Sequence, residues 1–408
     1  MKPSPTRRSR RSRGIFAILA ASALVVAACG SDDEADEPAP ATDAPAATDA
    51  PAATDAEVAS DDETASERPA LSDAYSEQIA RSSGVEVDTS AFAAEPPYKI
   101  AAVVQGPING WGTIFDAVMN DAFDQRSADI EELLYVPWEG VTENQVRGID
   151  DAIAADMDAI LLTSLSRAGL AAAVDRAADA GIPVVVCMAG VETDNYTVEV
   201  SRDIPLMGYE SAKAVAEQMG GAGKVVLLHG IAGVDAAEFW RSGALEAFAE
   251  YPDVEIVTEQ YGNWSAADAV NVMRTVIAQE SEIDAVWVGG LEMGPSVIDA
   301  FGEAGRDVPF IGGTNPTNGF LRLALDGDLD FFVAPFPPGA SQVCVDTVFD
   351  VLEGTPVPKY QDVIDLIDGV APYSAAEAPE WFEPDFNDDF IGPVVAAPEV
   401  YTEAGFGN

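Results

Sequence analysis

The sequence predicts an α/β protein of two lobes, each a doubly wound parallel sheet. Three observations carry that prediction. Between residues 98 and 367, apolar runs of strand length alternate with longer segments whose apolar residues recur at helical spacing. The strand-length runs are apolar throughout, as strands covered on both faces are. The regular region is about 270 residues long, too much for one open sheet around a single core.

The elements follow in order. The run Lys99 to Gln105 reads as the first strand, with turn residues on both sides. A helix over 113–125 places Ile114, Phe115, Val118, Met119 and Phe123 on one side. Strands at 132–137, 158–164, 183–187 and 196–200, with helices at 143–155 and 166–180, complete a first half of βαβ units. The pattern then repeats. Strands fall at 224–228, 255–259, 285–288, 309–311 and 329–332. Helices fall at 206–219, 236–250, 266–278, 294–304 and 317–325. A helix over 341–352 and a strand near 363–367 come next. The stretch 371–408 bears prolines and aromatics without clear periodicity, and reads as a loop-rich tail packed on the body.

The chain before this body has a different character. Lys2, Arg7, Arg8, Arg10, Arg11 and Arg13 precede an apolar segment, 15–28, that is shorter than the roughly 20 residues a membrane span needs. Ala27 and Ala28 are the small residues a signal peptidase requires. The string Val26-Ala27-Ala28-Cys29 is similar to the lipobox of bacterial lipoproteins, so 1–29 is expected to be a lipoprotein signal peptide with Cys29 lipidated. Two acyl chains would hold the protein at a membrane where one would not. Arg10 and Arg11 leave a twin-arginine export route open beside the general one. From residue 30 to 97, alanine, proline, threonine and acidic residues dominate, with a short repeat between Ala41 and Asp55. Such a stretch buries too little to offset its ordering entropy and is expected to be a disordered acidic spacer. A short helix around 71–81 is its one exception.

Composition narrows the function. There are 70 acidic against 21 basic residues, a formal charge of −49, which repels nucleic acid. Beyond Cys29 the chain has only Cys187 and Cys344. Export permits them to pair, but neither has a nearby cysteine that suggests a framework, and two buried thiols are expected.

Ligands of open α/β sheets bind at the carboxyl ends of the strands. There the sequence has Gln105-Gly106-Pro107-Ile108-Asn109-Gly110-Trp111 after the first strand. It has Gly181-Ile182-Pro183-Val184-Val185-Val186 leading into Cys187-Met188-Ala189-Gly190. It has Gly230-Ile231-Ala232-Gly233 opening the second half, and Leu291-Glu292-Met293 after the 285–288 strand. In order, spacing and these strings, residues 98–365 resemble the sugar-type periplasmic binding proteins, the ribose-binding group in particular. The resemblance implies two lobes joined by a three-crossover hinge, near 203–205, 335–338 and 360–363. Lobe one would be 98–203 plus 338–362, and lobe two 205–335. It also implies a monomer that clamps a small-molecule solute and delivers it to an ABC permease, without a cofactor.

Carried over position by position, the resemblance places Asn109 on a ligand-contacting asparagine. Trp111 and Trp264 fall on aromatics that stack on a sugar ring. The family's charged anchors are mostly replaced. An aspartate–arginine pair becomes Met188-Ala189, and a helix arginine becomes Trp240, with Arg241 adjacent. An asparagine–aspartate pair becomes Gly290-Leu291, an aspartate becomes Thr314, and the hinge glutamine becomes Pro335, followed by Phe336. Unpaired sugar hydroxyls would cost about 1–3 kcal/mol each. A wall of Trp111, Met188, Trp240, Trp264 and Phe336 therefore suits a ligand less polar than ribose or glucose: a deoxy-sugar, a modified glycoside or an aromatic-bearing solute. Gln105, Asn109, Asn263, Glu292, Thr314 and Asn315 would make its few polar contacts, with Arg241 joining them if the register shifts by one.

Rival functions find less support. No Gly-x-Ser-x-Gly elbow, phosphate loop or Cys/His metal cluster is present, so neither a catalytic residue nor a metal is expected. The single histidine, His229, sits at a strand end and reads as a packed residue. A DNA-binding helix pair has no place in the acidic N-terminal region. A sensor module feeding a membrane receptor would share every feature above.

Overall fold

The computed structural model describes residues 70–367 and 370–408. The signal-like segment, Cys29 and the Ala/Pro/Thr repeat lie outside the described residues. The chain is described from a helix, α1 (Ala70–Ser82), and a two-residue strand, β1 (Glu86–Val87). The first lobe follows as β2 (Tyr98–Val104), α2 (Gly110–Gln125), β3 (Ile130–Pro137), α3 (Thr142–Ala154), β4 (Ala159–Leu162), α4 (Arg167–Asp179), β5 (Val184–Cys187) and β6 (Val198–Ser201). The second runs through α5 (Ile204–Gln218), β7 (Ala222–His229), α6 (Asp235–Ala249), β8 (Asp253–Tyr261), α7 (Ala266–Gln279), β9 (Ala285–Val288), α8 (Gly294–Glu303), β10 (Phe310–Thr314), α9 (Asn318–Asp326) and β11 (Phe331–Ala334). The chain then returns through α10 (Ala340–Leu352), β12 (Val357–Pro358) and β13 (Tyr360–Asp362). It ends with α11 (Val363–Leu366), β14 (Tyr373–Ser374) and α12 (Pro398–Glu403).

Each lobe has a six-stranded sheet. The orders are β13-β6-β5-β4-β2-β3 and β14-β11-β10-β9-β7-β8. All pairings are parallel except that of β14, which runs antiparallel to β11. Strand order reverses beside β2 in one lobe and beside β7 in the other, the switch points at which such sheets bind ligands. Alternate residues of a strand feed opposite cores, as a two-residue period requires. Ile100, Ala102 and Val104 join one cluster, and Ala101 and Val103 another. Val225 and Leu227 likewise face away from Val226 and Leu228.

The chain passes between lobes three times: from β6 into α5, from β11 into α10, and from β13 through α11 to β14. The last passage departs from expectation. The strand is Tyr360–Asp362, and the segment expected as a strand near 363–367 is instead a turn of helix. Asp362 caps that turn, its carboxylate accepting from the Ile364 N–H at 3.0 Å.

Two further expectations are corrected. The spacer does not reach residue 97. Tyr75 of α1 is fully buried, and its hydroxyl donates to Glu199 at 2.7 Å. Gln78 accepts from Arg167 at 2.6 Å, and β1 pairs with β12. A sparse apolar pair, Tyr75 and Ile79, suffices because partners 89 or more residues away satisfy the polar groups between them. The second correction concerns the two thiols. Cys187 and Cys344 form a disulfide, with Cα atoms 6.0 Å apart. It ties the end of β5 to α10, elements that pack together although 157 residues separate the cysteines.

Candidate functional site

The carboxyl ends of both sheets face a cavity between the lobes. Its empty space is about 470 Å³, part of it open to solvent, of which the centre of a water-sized molecule reaches about 50 Å³. That lies at the small end of ligand pockets. Gln105 and Met188 reach it from just past β2 and β5, and Trp264, Glu292 and Asn315 from just past β8, β9 and β10. Asn109 and Trp111 come from the start of α2, Trp240 from α6, and Phe336 from the second crossover.

The aromatic walls are fixed by their own hydrogen bonds. Trp111 Nε1 donates to the Phe336 carbonyl at 2.9 Å, and the Trp111 indole stacks on Phe115 at 5.3 Å. Trp264 Nε1 donates to the Gly289 carbonyl at 2.8 Å, and Trp240 meets Trp264 edge to face at 6.0 Å. Close packing of α5 on α6 carries Trp240 into place. A methyl group at Gly208 would stand 2.0 Å from the Trp240 carbonyl oxygen, and one at Gly243 would stand 1.8 Å from that of Pro205. Only glycine permits that approach. The Trp240 N–H is buried and has no partner among the described residues.

Polar groups in the cavity are few and partly committed. Asn109 caps α2: its Oδ1 accepts from the Gly112 N–H at 2.8 Å and from Gln105 Nε2 at 3.3 Å. Asn315 Oδ1 accepts from the Phe336 N–H at 2.6 Å. Glu292 is the one ionisable group in the lining. Enclosure away from water pushes its carboxyl up to about 7, opposed only by its own backbone N–H.

Three residues expected at the site lie elsewhere. Arg241 follows Trp240 on α6, about 100° further around the helix, and points out toward β8. There it pairs with Glu259 at 2.6 Å. Asn263 is exposed and bonds Asp268 at 3.1 Å. Thr314 is fully buried on the face of β10 opposite Asn315, outside the cavity lining. His229 is packed, with Nε2 3.0 Å from the Glu259 carboxylate, which His229 and Arg241 together hold down at about 2 against its burial. Ile204, Met207 and Ala236 were not anticipated at the site. The first crossover signals two of them, because it sets the first turn of α5 against the cleft.

The backbone beneath the site is unusual. Met188, Trp264 and Asn315 line the cavity with φ of 77°, 50° and 49°. Ala189 and Asn263, their neighbours, share the left-handed conformation. Side chains larger than glycine rarely adopt it, and strained residues of this kind concentrate at ligand sites.

Two like-built α/β lobes, crossed three times by the chain and meeting over an aromatic cavity, define a hinged solute-binding protein. The chain belongs to the periplasmic binding protein family, whose domain model matches residues 100–356. It is of the sugar type that serves ABC transporters, an exported class of binding proteins rather than enzymes. A xylitol-binding protein of Mycolicibacterium smegmatis is 29% identical over 183 residues, covering 44% of this chain and 52% of that protein. That match thus spans about half of the relative's length. The ribose import binding protein of Bacillus subtilis is 24% identical over 230 residues, covering 56% and 74%. Among solved structures, a galactofuranose binding protein superposes with a TM-score of 0.61 at 22% identity, covering 70% of this chain and 97% of that one. A Mycobacterium smegmatis protein in complex with β-D-fucofuranose gives 0.61 at 23%, covering 69% and 93%. Likeness at that level shows the shared fold.

Proposed function

We propose that this protein is a membrane-tethered, extracytoplasmic clamp that captures a small sugar-like or less polar solute and hands it to an ABC importer. The observation that carries the reading is the cavity itself. Trp111, Trp240, Trp264 and Phe336 line it beside few polar groups, as suits a ring with apolar faces and few hydroxyls. The matched relatives include xylitol- and ribose-binding proteins, which supports a polyol or sugar frame for the ligand. In this reading Cys29 carries the lipid anchor at the outer face of the cell membrane. The folded body works as a monomer beside its permease.

Mass spectrometry of solute co-purified with the full chain tests the clamp, with Trp264→Ala as the control. That variant is expected to stay folded and lose the solute. Calorimetry against a metabolite panel tests the polarity. Tight binding of an unmodified pentose or hexose would overturn the less-polar ligand. Detergent phase partitioning of Cys29→Ser tests the anchor: the wild type should enter the detergent phase and the variant should not.

A further inference from the structure

The cavity holds one negative group and no positive one. Glu292 Oε2 sits beside the Trp264 indole: a methyl group at Gly290 would lie 2.8 Å from that oxygen and 2.7 Å from Trp264 Cδ1. Among the described residues, no salt bridge or side-chain hydrogen bond engages the Glu292 carboxylate. The rest of the lining is aromatic, aliphatic or amide. A half-buried carboxylate enclosed by aromatic walls, with only its own backbone N–H to offset that enclosure, is costly, and a ligand that brings a cation lowers that cost. Indole faces favour a cation as well, through the negative charge above the ring.

Two other observations point the same way. The outer groove shares Trp264 and Glu292 with the cavity, and its charged side chains are Glu292, Arg322, Asp388 and Asp389. Arg322 is held by Asp388, with Nε 2.9 Å from Oδ1, which leaves the entrance net negative. The N–H of Trp240, a residue of the lining, is buried and without a partner among the described residues, a donor left for a ligand oxygen.

Resting on the clamp reading above, we infer that the solute is a small ring compound bearing an amine, with the ammonium at Glu292 and a hydroxyl or ether oxygen accepting from Trp240 Nε1. Its apolar faces lie between the tryptophans. The same carboxylate disfavours an anionic solute. The carboxyl must be ionised to pair, and unliganded it titrates near 7. Amine binding therefore strengthens as pH rises from 5.5 to 8.

Calorimetry on the full chain with matched probes decides this. The pairs are trans-4-aminocyclohexanol with trans-1,4-cyclohexanediol, and 6-amino-6-deoxy-D-glucose with D-glucose. At pH 8 each amine is expected to bind at least about tenfold more tightly than its hydroxyl partner, and to weaken by roughly tenfold or more at pH 5.5. Glu292→Gln is expected to erase the amine's advantage over its hydroxyl partner, whose own affinity changes by no more than about tenfold, the effect of one neutral hydrogen bond. Neutral probes that bind as tightly as the amines, with Trp264→Ala still abolishing binding, would overturn the amine and leave the clamp standing. Binding of no probe and of no member of a broad metabolite panel would overturn the clamp itself.

Discussion

Met188, Trp264 and Asn315 each hold a left-handed backbone at a strand end, at a cost of about 1–3 kcal/mol apiece. The surrounding packing sustains that strain and fixes how each side chain meets the cavity. Glu199 is a second costly residue, away from the cavity. It is fully buried, one carboxylate oxygen accepting from Tyr75 and the other unpartnered. Burial pushes its carboxyl up to about 7, although Tyr75 and Arg167 oppose the shift. An ordinary glutamate titrates near 4.5. Between those values the folded protein binds more protons than the unfolded chain, so this group's contribution to stability falls as pH rises from about 4.5 to 7. Glu199→Gln keeps an acceptor for Tyr75 and removes the titration. Thermal unfolding of the variant should show a shallower loss of stability between pH 5 and pH 8 than the wild type. Its relative gain at pH 8 should be a few kcal/mol at most. Equal slopes in the two proteins would show that Glu199 stays ionised throughout.

The contact between α5 and α6 fixes part of the site at the scale of elements. Gly243→Ala would drive a methyl group into the Pro205 carbonyl, and backbone cannot give way as a side chain can. The helices must separate, which costs about 1–3 kcal/mol or more, and Trp240 moves with α6. Gly243→Ala is expected to lower the melting temperature and weaken solute binding together, whereas Arg241→Ala, outside the cavity, should leave affinity unchanged. The disulfide acts at the same scale. Reducing it, or making the paired variant Cys187→Ala with Cys344→Ala, should cost about 2–4 kcal/mol in denaturant unfolding. The βαβ order was legible in the sequence because strands buried on both faces are apolar throughout, and β2, β5 and β9 each fall where such a run occurs. Nine of the twelve expected site residues line the cavity because strand ends converge at a switch point. Arg241, Asn263 and Thr314 do not, because a neighbouring position on a helix or strand points another way. The disulfide was hidden because α10 reaches β5 only through the fold. The helix α1 was legible as a short helix around 71–81, but its packing on the body was hidden because its few apolar residues rely on distant polar partners.

Across the whole molecule, both ends of the described chain bridge the lobes. The tail pairs β14 with β11 in lobe two and sets α12 against α2 in lobe one. On the N-terminal side, Tyr75 bonds Glu199 of lobe one and stacks on Phe239 of lobe two at 5.0 Å. Beside it, the Arg167 N–H donates to the Asp235 carboxylate at 2.7 Å, a direct bond from one lobe to the other. In this arrangement α1 spans the line along which a hinge would open. Opening must break the Tyr75–Phe239 stack, and an aromatic pair contributes about 0.5–1.5 kcal/mol beyond its buried area. Tyr75→Ala should therefore favour the open form and weaken solute affinity by up to about tenfold, through the fraction of molecules ready to close. Small-angle scattering of the unliganded variant should show a larger radius of gyration than the wild type. Phe239→Leu leaves the Tyr75–Glu199 bond intact and removes the stack, so it should reproduce the change in affinity, with a smaller loss of stability than Tyr75→Ala. If Tyr75→Ala destabilises the protein without changing affinity or radius, α1 belongs to lobe one alone. If both variants open the protein, the helix that follows the acidic N-terminal stretch is part of the clamp, and closure is set partly by a segment outside the two lobes.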